Sequence, residues 1–449
     1  MNKKMKTVLA LLLVAMVTLS LAACGTTSGN TADGGKTKAD SDRVEDVILT
    51  MYMNQASPKE AIAAFREEVV DVFERENEGV KIDIVMTEDS TGLATQQIAA
   101  GGGPDILTVE PSSVQLFAEA GYLQELNTYA EEFGWYDLFE EWALKFTSRG
   151  DSLYALPSEV EGLGVFYNKD MFAENGWEVP TTYKEYIDLC EAIKAVDIIP
   201  TAFGNSDFKG ANQWWIAMGY SVSLGQETYH ALLQGNLSWE GEELQKATDQ
   251  LTSMWDNGYI YENSAGITME DSRNLFVGEQ AAMLMSGQWE IYELLGAEPT
   301  FEWGAFRMPA WNDTDEEGAL PIGLGGTYAI NKHSNHPEWA AKFLDYAYAD
   351  DAVLGGISRG VIVPTTNCEP SEVEGLDRHY VEMFDLVLDA METGNIGYCA
   401  WTYWPPAVDA YGWNNFEALY LGQLSRDEFL RNLQEKFDEA LENGNVLEF

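Results

Sequence analysis

The stretch Tyr154 to Trp177, YALPSEVEGLGVFYNKDMFAENGW, constrains the fold more than any other part of the chain. Leu163, Val165 and Phe166 read as a short buried strand, and Glu159, Glu161 and Gly162 stand just before it. This pattern fits a crossing between two lobes, with the carboxylates beside the crossing facing the gap.

The chain opens with Lys3, Lys4 and Lys6, an apolar run from Val8, and small residues ending in Leu21-Ala22-Ala23-Cys24. Residues 1–23 read as a secretory signal rather than a membrane span, because the apolar run is short for a bilayer. Cys24 stands where a bacterial lipobox carries its lipidated cysteine. Residues 24–43 are Gly, Ser, Thr, Ala, Asp and Lys without an apolar period, which predicts a flexible tether.

The formal charge is −48, from 26 basic and 74 acidic residues. Loss of the signal removes three lysines and no acid, making the mature chain more negative still. Nucleic acid is excluded as a partner, since its phosphates need a basic stripe this composition cannot supply. The acidity reads as solubility outside the cell. With Cys24 lipidated, Cys190, Cys368 and Cys399 remain without CxxC spacing, and a Cys368–Cys399 disulfide is one option. Cys190 falls on an amphipathic pattern and reads as a buried apolar residue.

Order begins at VILTMY, Val47 to Tyr52. A helix follows Ser57-Pro58, a strand runs from Val80 to Met86, and a helix ends near Ala100 before GGGPD. A buried strand then spans Ile106 to Val109, leading to an N-cap at Ser112 or Ser113. Strand and helix in alternation predict an α/β lobe with a mostly parallel sheet, whose ligands lie beyond the carboxyl ends of its strands. Beyond the crossing the chain is richer in helix. Thr182 with Glu185 caps one helix, Glu242 to Asp256 and Asp271 to Gln280 form others, and a strand runs from Ala282 to Met285. Pro309 to Leu324 reads as loop, followed by a glycine-rich turn into a strand. Tyr398 to Trp413 reads as a non-helical aromatic segment before a last helix capped by Ser425 and Glu428.

The lipobox, GGGPDI, AEAGYLQEL, YNKDMFAENG with PTTYKEY, FVGEQAAMLMSGQW, GLGGTYAIN with HPEWAAKFLDYA, and VPTTN occur in one order. Together they resemble the family 1 extracellular solute-binding proteins, which include maltodextrin and other sugar receptors of ATP-binding cassette importers. The resemblance implies an α/β, two-lobed, type II periplasmic-binding-protein-like fold that closes on its ligand by hinge motion. It implies a first lobe of residues 44–156 plus 306–350 and a second, helix-rich lobe of 157–305 plus 351–449. It further implies a carbohydrate ligand, transmembrane permease subunits as partners, and a monomer held by lipid at the outer face of the cytoplasmic membrane, periplasmic where an outer membrane exists.

A sugar presents apolar ring faces and a rim of hydroxyls, so its site needs aromatic surfaces flanked by hydrogen-bonding groups. Of the 14 tryptophans, Trp214, Trp215, Trp289, Trp401 and Trp404 fall where the resemblance places ligand contacts. Glu161 matches a glutamate of related sugar receptors, and Glu110 and Ser112 follow DILTV, where the family has a ligand-binding loop. Asn54 and Gln55 end the first strand as neutral amides, and Gly325, Gly326 and Thr327 offer backbone N–H groups and a hydroxyl. Arg359 would pair with an anionic ligand or with a nearby acid.

A glycoside hydrolase is the rival reading, with Glu159 or Glu161 and Glu110 as its carboxylates. A receptor for a non-sugar solute such as a polyamine is another. No HExxH, GxSxG or P-loop occurs, and the four histidines lack metal-ligand spacing, so no catalytic residue, metal or cofactor is expected.

Overall fold

The computed structural model describes residues 47–54, 59–87, 90–312 and 317–447. Among these, nine strands form one sheet: β1 Val47–Asn54, β2 Val80–Thr87, β3 Ile106–Val109, β4 Ala155–Asn168, β5 Ile199–Ala202, β6 Ala281–Gly287, β7 Trp303–Phe306, β8 Leu320–Ile330 and β9 Ile396–Tyr398. The order is β2-β1-β3-β8-β4-β6-β5, with β9 beside β8 and β7 beside β4. β1 runs parallel to β2 and β3, as the strand–helix alternation predicts.

Two long antiparallel strands, β4 and β8, carry the chain through the centre. The first half of β4 pairs with β8 up to Gly162–Ile322, and the second half pairs with β6 from Leu163–Gly287 and with β7. The buried strand expected around Leu163 to Phe166 is thus the latter half of a 14-residue element. β8 begins inside the segment read as loop, because Leu320, Ile322 and Leu324 are buried along it. Its register with β4 shifts on either side of Gly326.

Two apolar clusters draw on residues 47–156 and 329–348; they include Leu49, Ile82 and Phe343 in one, and Leu107, Val114 and Ala329 in the other. Two larger ones gather Trp215, Leu251 and Phe437, and Phe166, Leu294 and Phe384. Met308, Trp311, Leu320, Ile322 and Leu324 pack with this second group, on the helix-rich side, rather than with the clusters of residues 47–156.

Local signals explain some helix starts. Thr182 accepts from the Glu185 N–H at 3.2 Å, and Ser425 accepts from Glu428 N–H at 3.3 Å, each opening its helix as expected. Other starts differ. The helix expected to start at Ser112 or Ser113 begins at Pro111 with Glu110 as its N-cap residue, since proline suits the first helical position. The aromatic segment read as non-helical holds the helices Ala400–Tyr403 and Pro406–Tyr420. Cys190, Cys368 and Cys399 are buried free thiols, so the Cys368–Cys399 disulfide is not formed. Among the described residues no helix is long and apolar enough to cross a membrane. Cys24 and Gln55 lie outside the described residues.

Candidate functional site

The site grows from the crossing of β4 and β8. On a strand, alternate residues share a face, so Glu159 and Glu161 project together. They lie over Gly325: a Cβ there would collide with Glu161 Oε1 and stand 2.8 Å from Glu159 Cγ. Glycine at 325 is what lets both carboxyls settle against the neighbouring strand. Burial pushes the Glu159 carboxyl up to about 7. Burial also holds Glu161 well above the usual carboxylate range, reinforced by Glu159 and Glu110 and opposed by the Trp401 side chain.

An aromatic pair stands on the helix-rich half. Trp214 and Trp289 are both partly exposed, with ring centroids 5.2 Å apart and planes inclined by 51°. Trp289 is the first residue of the helix Trp289–Ala297, and its ring lies over Gly287, where a Cβ would clash. The residues preceding these tryptophans anchor them. Gln288, 2% exposed, accepts the Gly162 N–H through Oε1 at 2.8 Å and donates to Val160 O. Gln213 Nε2 donates to Asp409 Oδ2 at 2.6 Å. Asp409 is 4% exposed, and burial followed by the field of Glu110 holds it well above the carboxylate range, with Gln213 acting against the rise.

Trp401 and Thr402 close the arrangement from the helix Ala400–Tyr403. Thr402 Oγ1 accepts the Leu324 N–H and donates to Leu324 O, both at 3.0 Å, fixing this helix to β8. Trp401 is 6% exposed, and its indole N–H is directed at Glu161 without closing a full hydrogen bond.

The structure therefore gathers Glu161, Trp401 and Gly325, and separately brings Trp214 onto Trp289. It places other expected ligand contacts elsewhere. Trp215 is fully buried against Phe203 and Trp255. Trp404 is equally buried, and its Nε1 donates to the Tyr229 hydroxyl at 2.8 Å. Neither offers a face to a ligand, a correction that follows from their occupying the core. Thr327 is buried too, and its hydroxyl donates to Val109 O at 2.8 Å within the sheet. Gly326 lies in the β8 irregularity beside Ser158. Glu110 is exposed at its helix start, and the Ser112 hydroxyl behind it is buried without a partner. Asn54 closes β1 opposite Thr87. Arg359 forms an ion pair with Glu68. Pattern reading passed over Asp409 and Gln288, while Gln213 and Thr402 stand beside the expected contacts Trp214 and Trp401; the partners of all four show only in contacts spanning at least 78 positions.

Partly exposed aromatic faces and carboxyl groups are the kinds of surface a polyol needs. Comparison with known proteins finds sugar-binding relatives. A multiple sugar-binding protein of Streptococcus mutans is 24% identical over 351 residues, 74% of this chain and 76% of that protein. A galactooligosaccharide-binding protein of Bacillus subtilis is 29% identical over 340 residues, 73% of each. Among solved structures, a chitin oligosaccharide binding protein superposes with a TM-score of 0.76 at 24% identity, covering 88% of this chain and 99% of that one. The shared architecture is the two-lobed type II fold, in which β4 and β8 are the long central strands. The family described as bacterial extracellular solute-binding protein, a family of binding proteins rather than enzymes, matches residues 55–353. On that match, carried by a fold whose two halves meet at the strands bearing Glu161 and Gly325, the chain belongs to the bacterial extracellular solute-binding proteins.

Proposed function

We propose that the protein is the extracellular receptor of an ATP-binding cassette importer, capturing a mono- or oligosaccharide by hinge closure and passing it to permease subunits. The carrying observation is the partly exposed Trp214–Trp289 pair, tied through Gln288 to the strand that bears Glu159 and Glu161. A sugar ring stacks on the indoles while its hydroxyls meet the carboxyls and the Trp401 N–H. Sugar-binding relatives support the ligand class.

The lobes in this reading are residues 44–156 with the end of β8 through 350, and 157–305 with 351–449; the packing of Met308, Trp311, Leu320, Ile322 and Leu324 supports counting them with the second lobe. Ligand contacting both lobes favours the closed form by its differential affinity. The site is read as one for binding rather than catalysis, in keeping with a family of binding proteins. The protein acts as a monomer anchored by lipid at Cys24 on the outer face of the membrane.

A thermal-shift screen against a glycan library tests the reading. A ligand at 100 times its dissociation constant adds about 2.7 kcal/mol to stability. A shift with a saccharide supports it; shifts with amino acids or polyamines only would overturn it, and repeated turnover of aryl glycosides would restore the enzyme.

A further inference from the structure

The half-buried carboxyl groups at the crossing have no cationic partner among the described residues. Glu159 and Glu161 share one strand face over Gly325, and Asp409 is buried on the helix Pro406–Tyr420. Among the described residues none of the three forms an ion pair with lysine, arginine or histidine. The groups acting on Glu161 and Asp409 are other carboxyls, the Trp401 indole and the Gln213 amide. Elsewhere in the same protein buried acids are paired: Glu290 meets Arg273, and Glu74 meets Arg66 and Lys81. A metal ion does not account for the gap, since among the described residues no group of three or more acidic, histidine or cysteine side chains is placed to hold one.

A second set of observations points into the same place. The Trp401 indole N–H is buried and directed at Glu161 without closing a full hydrogen bond. The Asp409 Oδ1 and Ser112 Oγ atoms are also buried and unpartnered, in residues each 4% exposed, and the helix carrying Ser112 packs on the one carrying Trp401. Orphaned buried donors and acceptors each cost free energy until something binds them. A partner carrying positive charge would draw the proton off these carboxyls, and its hydroxyls would accept from and donate to the orphaned groups.

We propose that the ligand is an amine-bearing saccharide, whose protonated amino group is held by Glu159 and Glu161 while its hydroxyls engage Trp401 and Ser112. The inference rests on the sugar-receptor reading and narrows it. Charge-assisted hydrogen bonds are about twice as strong as neutral ones, so the amine sets the preference among sugars of one shape.

Calorimetric titration at pH 6 with three β-1,4-linked tetramers tests it: glucosamine, N-acetylglucosamine and glucose. Glucosamine tetramer is expected to bind at least about tenfold tighter than the other two. Glu161→Gln, and separately Glu159→Gln, should erase that preference while retaining a cooperative thermal transition. Equal or tighter binding of the acetylated or the glucose tetramer would overturn the amine assignment and leave the sugar reading standing. A preference that survives in both amide variants would overturn the assignment to these carboxyls. Binding of spermidine with no binding of any saccharide would overturn this inference and the sugar reading together.

Discussion

Gln288 grips Gly162: its Oε1 accepts the Gly162 N–H at 2.8 Å, one residue beyond the point where Leu163 pairs with Gly287. The side-chain amide continues the ladder that the backbone of β6 leaves off, donating also to Val160 O. The residue after it is Trp289, so the aromatic platform is fastened directly to the crossing strand. Gln288→Ala removes both bonds and leaves two buried backbone groups short of partners. The expected loss is about 2–4 kcal/mol, read as a lowered urea midpoint at constant m-value. A change within about 0.5 kcal/mol would mean that the amide is not a structural tie.

The tryptophans separate into two kinds with opposite signatures. Trp289→Ala and Trp214→Ala remove partly exposed faces, so saccharide affinity is expected to fall about tenfold or more with a modest stability change. Trp215→Ala opens a cavity among Phe203 and Trp255 and should cost about 3–5 kcal/mol of stability. Denaturation and binding titrations on the three variants check this; a Trp289→Ala protein that binds normally would remove the platform from the site.

Which of the adjacent indoles Trp214 and Trp215 faces outward was not legible in the sequence. Nearly every residue from Asn212 to Val222 is buried, so this helix has no polar stripe to orient it. The start of Trp289–Ala297 was hidden similarly, since Gln288 makes no side-chain cap and spends its amide on β4. By contrast, the crossing strand was readable from its apolar run, and Thr182 and Ser425 announced their helices through capping chemistry. Glu161 could be singled out from its place beside that strand. Asp409 could not: one acid among 74 acquires meaning only through Gln213, 196 positions away.

Gly325 offers a sharper lever on the carboxyls. A methyl group at this position meets the flexible ends of Glu161 and Glu159 first. Gly325→Ala should therefore fold, with the two carboxyls displaced and ligand affinity reduced by about tenfold. Unaltered affinity in a folded Gly325→Ala protein would show that their placement does not matter for binding.

The raised Glu159 carboxyl makes stability depend on pH. Its ordinary value is 4.5 and its folded value about 7. Below 4.5 both folded and unfolded chains hold the proton. Between 4.5 and 7 only the folded chain keeps it, so stability falls as pH rises through this window and levels off above it. The contribution is about 3 kcal/mol, and Glu161 and Asp409 act in the same direction. Urea midpoints of wild type and Glu159→Gln, measured from pH 4.5 to 8, should diverge with rising pH, the variant gaining on the wild type. Parallel curves would refute the shift.

Cys24 carries the membrane prediction. In the producing cell, Cys24→Ala should move the protein from the membrane fraction to the soluble one, detected by fractionation and by mass spectrometry of the amino terminus. An equal membrane share for the variant would rule out the lipid anchor.

Hinge capture itself is tested most directly by small-angle X-ray scattering of the protein with and without its saccharide. The account predicts a smaller radius of gyration when wild type is saturated, and no compaction of Trp289→Ala at the same sugar concentration. Saturation of wild type with an unchanged radius of gyration would contradict closure of the two lobes about β4 and β8.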